Sequence, residues 1–203
     1  MKGCRPLTDE EVVLITRSFT GRYALRNRAL FLLGVRSGFR ISELLSLRLK
    51  DVFRCDRIVT RVSVNRRNMK RKTEGRTVLL HPQAKEALRG WIEGLVEDGY
   101  TEPNSFVFRS RIGANKPISA LQAWRILRDA YQSNDLTGKL GTHSMRKTFA
   151  AKVYQHLSQR RAAGEPVDPF RLTSKALGHK NLNSTDAYLS FLEEDIDDAI
   201  LAA

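Results

Sequence analysis

In GTHSMRKTFA, residues 141–150, His143 and Arg146 stand three positions apart, a spacing that puts both side chains on one face of a helix's first turn. The amide ends of a helix attract anions there, so an oxyanion or phosphate is the ligand such a pair would take. Alone, an H-x-x-R is more often a surface pair with no task. A second segment, LGHKNLNSTDAYL, sets His179 just after the helix stop Gly178 and Tyr188 nine residues later, inside a helical pattern that opens at Ser184. A tyrosine there is ordinarily a core aromatic. In a third, SGFRISELLSL, Arg40 and Glu43 lie one helical turn apart, and an intrahelical ion pair explains them as they stand.

The elements that would carry these residues can be read from caps and periodicity. Thr8 followed by Asp9, Glu10 and Glu11 predicts a capped helix start, and a second helix spans about Asn27 to Val35, ended by Ser37 and Gly38. The short apolar run ISELLSLRL predicts a buried helix. Alternation at Ile58, Thr60, Val62 and Val64, with a second β-prone run RTVLL at 76–80, predicts a small antiparallel sheet. Its connection holds six basic residues between Arg66 and Arg76, where a hairpin tip would be exposed. Helices resume at Pro82, with Ala84, Ala87, Leu88, Trp91, Ile92 and Leu95 on one face, and then over Ser119 to about Tyr131, His143 to about Leu157 and Pro169 to Leu177. The polar stretch QRRAAGEPVD at 159–168 reads as a loop. The fold class expected is α+β: a mostly helical domain, residues 1–203, with a small antiparallel β-sheet.

Composition narrows the partner. The 203 residues hold 35 Lys and Arg against 22 Asp and Glu, a formal charge of +13, while residues 193–203 contain five acids and no basic residue. Such a balance suits a polyanion, nucleic acid first. Cys4 and Cys55 are too far apart in sequence for a C-x-x-C motif, and no carboxylate or His cluster has metal-ligand spacing. No long apolar run or signal-peptide pattern is present, so the expectation is a cytoplasmic, nucleoid-associated protein without a membrane partner.

Taken together and in this order, R-I-S-E-L at 40–44, H-x-x-R at 143–146, and L-G-H with a tyrosine nine positions after its histidine resemble the catalytic domain of the tyrosine recombinases, the phage integrase family. The resemblance spans nearly the whole chain and adds a hairpin lysine, matched by Lys72, with Lys70 as the alternative two residues away. It implies a catalytic set of Arg40, Lys72, His143, Arg146, His179 and Tyr188. Two guanidinium groups, Arg40 and Arg146, would clamp the non-bridging phosphate oxygens, Lys72 would protonate the 5′ leaving oxygen, and Tyr188 would attack. His143 would accept the tyrosine proton, His179 would bond a phosphate oxygen and hold the Tyr-bearing segment, and Glu43 would orient Arg40. The intermediate implied is a 3′-phosphotyrosine on double-stranded DNA, with no cofactor, neither ATP nor metal.

The same resemblance implies a monomer in free solution that forms a homo-tetramer on DNA, with DNA-bending accessory proteins as further partners. Most members place a helical core-binding domain before this one, whereas here the catalytic domain's own opening, RPLTDEEV, starts at residue 5. Two other readings compete: a type IB topoisomerase-like strand cleavage, and a DNA-binding regulator of the same fold without the reaction. The spacing from LGH to tyrosine and the compact length favour the recombinase, and a regulator released from catalysis would be expected to lack some of the six residues.

Overall fold

The computed structural model describes residues 3–64, 76–179 and 185. Lys70, Lys72, Tyr188, the helix expected from Ser184 onward and the acidic tail lie outside them, apart from the single residue Thr185. Among the described residues the order is α1 (Asp9–Ser18), α2 (Ala24–Ser37), α3 (Ile41–Ser46), α4 (Leu49–Val52), β1 (Phe53–Arg54), β2 (Arg57–Ile58), β3 (Arg61–Val64), β4 (Arg76–Leu79), α5 (Pro82–Glu97), α6 (Ala120–Gln132), α7 (Thr142–Ala162) and α8 (Pro169–Leu177).

The middle of the molecule is α2. Ala29, Leu30, Phe31, Leu32, Leu33 and Val35 are all buried, so this helix is apolar around most of its circumference and needs cover on more than one side. It packs against α5 and α7, and α7 in turn packs against α8. One large apolar cluster joins α1 to α6 and the strands, and Ala150 and Leu177 form a smaller one between α7 and α8 with Phe149, Tyr154 and Phe170. The site is built where α2, α3, α7 and α8 meet.

Local chemistry sets the helix ends. Thr8 accepts from the Glu11 amide, and Glu11 accepts in return from the Thr8 amide at 2.9 Å. Asp168 accepts from the Arg171 amide at 3.0 Å ahead of Pro169, the first residue of α8. At the C-terminus of α2, Gly38 takes the left-handed conformation, φ +61°, and a Cβ there would fall 2.4 Å from Phe149 Cδ1 of α7. Only glycine allows α7 this close.

Three expectations need correction. The small antiparallel sheet is present as β3 paired with β4, in the register Val62↔Val78 and Val64↔Arg76, but Ile58 is not part of it: among the described residues it belongs to a second two-stranded hairpin, β1 with β2. That hairpin closes through Cys55 and Asp56, both at positive φ, a two-residue turn that Asp tolerates better than Cys. Second, residues 159–162 are helical, because Gln, Arg, Arg and Ala sustain a helix and the chain turns only at Gly164. Third, the apolar run from Ile41 is broken into α3 and α4, each with an acid three residues after its N-cap, Glu43 and Asp51, accepting from the cap's own amide.

Candidate active site

The opening of α7 buries residues that helices usually expose. Ser144, Arg146, Lys147 and Thr148 are all buried, with Met145 among them. Each neutral polar group has a partner: Ser144 Oγ accepts from the Gly141 amide at 3.1 Å, and Thr148 Oγ1 accepts from the Leu7 amide at 2.8 Å while donating to Ser144 O. Tyr131 donates to Gly141 O, and burial pushes its phenol pKa up, so it stays a donor. These bonds fix the first turn of α7 between the N-terminal segment and α6.

Among the described residues Arg146 is the most deeply buried charge, only 1% exposed. Its guanidinium donates to Gly38 O at the end of α2 and to Leu177 O at the end of α8, the latter at 2.8 Å. Both acceptors lie at helix C-termini, where the peptide dipoles favour a cation. Nη2 also meets His179 Nε2 at 2.9 Å, and His179 Nδ1 meets Thr185 Oγ1 at 2.9 Å. A guanidinium has no acceptor, so Nε2 of His179 must accept, and in a neutral ring the proton then sits on Nδ1 and points to Thr185.

Arg40 caps α3 and is held by Glu43, with Nη1 to Oε1 at 3.2 Å and the Arg40 amide to Oε2 at 2.7 Å. Its side chain keeps 26% exposure while the Glu43 side chain keeps 9%. The carboxylate is thus buried as a brace and the guanidinium faces outward. His143 retains an exposed side. Partial desolvation, followed by the charges of Arg146, Arg40 and Lys147, holds its pKa below the usual histidine value. At neutral pH its ring is therefore an uncharged acceptor.

Of the six residues singled out in the sequence, Arg40, His143, Arg146 and His179 are described, and the pairing of Arg146 with His179 and the electrostatic reach of Arg40 and Arg146 to His143 gather all four. Lys72 and Tyr188 lie outside the described residues. Two cations of the neighbourhood escaped the sequence reading. Lys147, next to Arg146 in HSMRKT, is buried and acts on His143. Arg76 donates to Ala176 O at 2.7 Å and to Ser37 O at 3.0 Å. A basic residue at the head of a strand gives no sequence signal of such a task.

Residues 6–194 match the phage integrase family. Over 151 residues the chain is 31% identical to the probable integrase/recombinase YoeC of Bacillus subtilis (strain 168), covering 74% of this chain and 75% of that protein. It is 29% identical over 192 residues to the type 1 fimbriae regulatory protein FimE of Escherichia coli (strain K12), covering 93% and 86%. Against tyrosine recombinase XerD of Halalkalibacterium halodurans the identity is 26%, with 91% of this chain but 56% of that protein covered. In fold, the chain is similar to XerH site-specific recombinase bound to a palindromic difH substrate in a post-cleavage complex, with TM-score 0.69, 22% identity, and coverage of 97% of this chain and 52% of that one. XerA recombinase gives TM-score 0.69 at 19% identity, covering 92% and 60%. The chain thus spans about half to three-fifths of the length of the Xer relatives it matches.

Proposed function

Because the chain belongs to the phage integrase family, we propose that it is the catalytic part of a site-specific DNA recombinase that cuts and rejoins double-stranded DNA through Tyr188. The observation that carries this reading is the cluster at the meeting of α2, α3, α7 and α8: Arg146 on two helix C-termini and His179, with Arg40 braced by Glu43 and a neutral His143 beside them. This arrangement suits a phosphodiester whose charge grows as a fifth oxygen approaches.

In the proposed step the Tyr188 oxygen bonds to phosphorus and the bond from phosphorus to the 5′ oxygen breaks. The tyrosine proton passes to His143, whose neutral ring can take it, and Lys72 gives a proton to the departing 5′ oxygen. The phosphate keeps its 3′ bond, so the products are a 3′-phosphotyrosine and a 5′ hydroxyl. A 5′ hydroxyl attacking in reverse reseals the strand. Arg40 and Arg146 hold the non-bridging oxygens; in phosphoryl transfer a well-placed arginine is worth roughly 10³–10⁵ in rate. His179 works first by fixing Arg146 and, through Thr185, the chain three residues before Tyr188. Donating to the phosphate would require its Nε2 to release Arg146 and gain a proton.

On this reading neither a metal ion nor ATP takes part, the active assembly is a homo-tetramer on DNA built from free monomers, and the protein works in the cytoplasm on the nucleoid. Among the described residues no helix is long and apolar enough to cross a membrane. The test is to incubate the protein in EDTA with a nicked duplex bearing the ends of its own element and to run a denaturing gel. A covalent adduct on the 3′ side of the cut, with a free 5′ hydroxyl, is the expected result. A strict requirement for Mg²⁺ in the cleavage step would contradict it.

A further inference from the structure

Arg76 and Arg146 read the same two helix ends, one carbonyl apart. Arg76 takes Ser37 O and Ala176 O, and Arg146 takes Gly38 O and Leu177 O. Two forked donors therefore occupy consecutive carbonyls at the C-termini of α2 and α8, where the helix dipoles reinforce both. The Arg76 guanidinium also lies over the Phe39 ring, 4.9 Å from its centroid, and Phe39 sits between Gly38 and Arg40. The fit is tight from below as well: a Cβ on Gly178, φ +66°, would come within 2.7 Å of Arg76 Cδ.

The two arginines differ in where they come from. Arg146 belongs to α7 and to the phosphate-binding set, whereas Arg76 opens β4, the returning strand of the β3–β4 hairpin, opposite Val64. Lys72 precedes it by four residues. Four residues of chain reach at most about 14 Å, so whatever fixes Arg76 limits where the lysine can go. Through its guanidinium the hairpin is tied to the ends of α2 and α8.

We propose that Arg76 is a positioning residue that anchors the catalytic hairpin to the Arg146 site and so places Lys72 at the 5′ leaving oxygen. This rests on the reading of Lys72 as the proton donor. Arg146 keeps its own bonds to α2 and α8 when Arg76 is lost, so the phosphate clamp survives and the defect falls on protonation of the leaving oxygen. Sulfur in the bridging 5′ position leaves without a proton, which separates the two effects.

The experiment compares cleavage of normal and 5′-bridging-sulfur nicked DNA by wild type, Lys72→Ala, Arg146→Ala, Arg76→Ala and Arg76→Lys, with the melting temperature of each variant recorded. Arg76→Ala is expected to lose on the order of 10² in rate on normal DNA, the scale of a misplaced general acid, and to come within about tenfold of wild type on the sulfur substrate. Arg76→Lys keeps the charge but lacks the fork, so it should show the same rescue, and it decides the matter if the alanine variant does not fold. Arg146→Ala should gain little from sulfur. Equal losses on both substrates by a folded Arg76 variant, or wild-type rates on both, overturn the positioning role. If sulfur fails to rescue Lys72→Ala, the proton-donor reading falls and the positioning role with it.

Discussion

At the scale of the residue, the site depends on which groups are charged. His143 is uncharged at neutral pH because desolvation and three neighbouring cations lower its pKa. The acceptor role needs that neutral form, so the sign is fixed: cleavage should hold level as pH falls through 6.5 and decline only below the lowered pKa. A pH–rate profile on a single-turnover substrate checks this, and a decline centred at or above 6.5 would contradict the role. Arg40, His143, Arg146 and His179 could be singled out in the sequence because their segments together resemble the family's motifs, while each segment alone has an ordinary explanation. Their partners could not be. That His179 accepts from Arg146 and turns its proton to Thr185 depends on helix ends meeting across the fold, and the carbonyls that hold Arg146 belong to residues 108 and 31 positions away.

At the scale of the element, α7 breaks a rule in order to serve the site. A helix that buries Ser144, Arg146, Lys147 and Thr148 lacks the apolar stripe that periodicity looks for, yet its position was readable from the motif it carries. The loop expected at 159–168 was half wrong because polar residues at a helix end look like loop until the glycine that stops the helix is weighed. The hairpin at Phe53–Ile58 was missed since its two-residue strands are too short to alternate. Gly38 is the element-scale weak point: its left-handed backbone and the nearness of Phe149 leave no room for a methyl, and its carbonyl receives Arg146. Gly38→Ala should cost about 1–3 kcal/mol in a urea titration and reduce cleavage more than DNA binding. Unchanged stability and activity would remove the claim that this close packing aligns the clamp.

At the scale of the whole molecule, charge and tail matter most. The excess of 35 basic over 22 acidic residues suits a polyanion, and double-stranded DNA is the partner proposed for this chain. The tail is a different case: by sequence spacing Ile196, Ala199, Ile200 and Ala203 would fall on one face of a helix and the acids Glu193, Glu194, Asp195, Asp197 and Asp198 elsewhere on it, and all of them lie outside the described residues. An acidic helix with one apolar face would dock on a basic neighbour, so residues 192–203 are proposed to pack on an adjacent subunit during recombination. Deleting residues 195–203 should spare binding to a single site in a gel-shift assay but impair pairing of sites and strand exchange. Normal recombination by the truncated protein would leave the tail as a cap on its own domain.

The central claim is that one phenolic oxygen carries the reaction. The most direct measurement is the covalent adduct formed by Tyr188→Phe on nicked DNA, beside its affinity for the same DNA. Loss of one hydroxyl removes the nucleophile yet touches little of an interface dominated by phosphate contacts, so the adduct should vanish while the dissociation constant changes by less than about threefold. An adduct that persists in Tyr188→Phe would contradict the account outright.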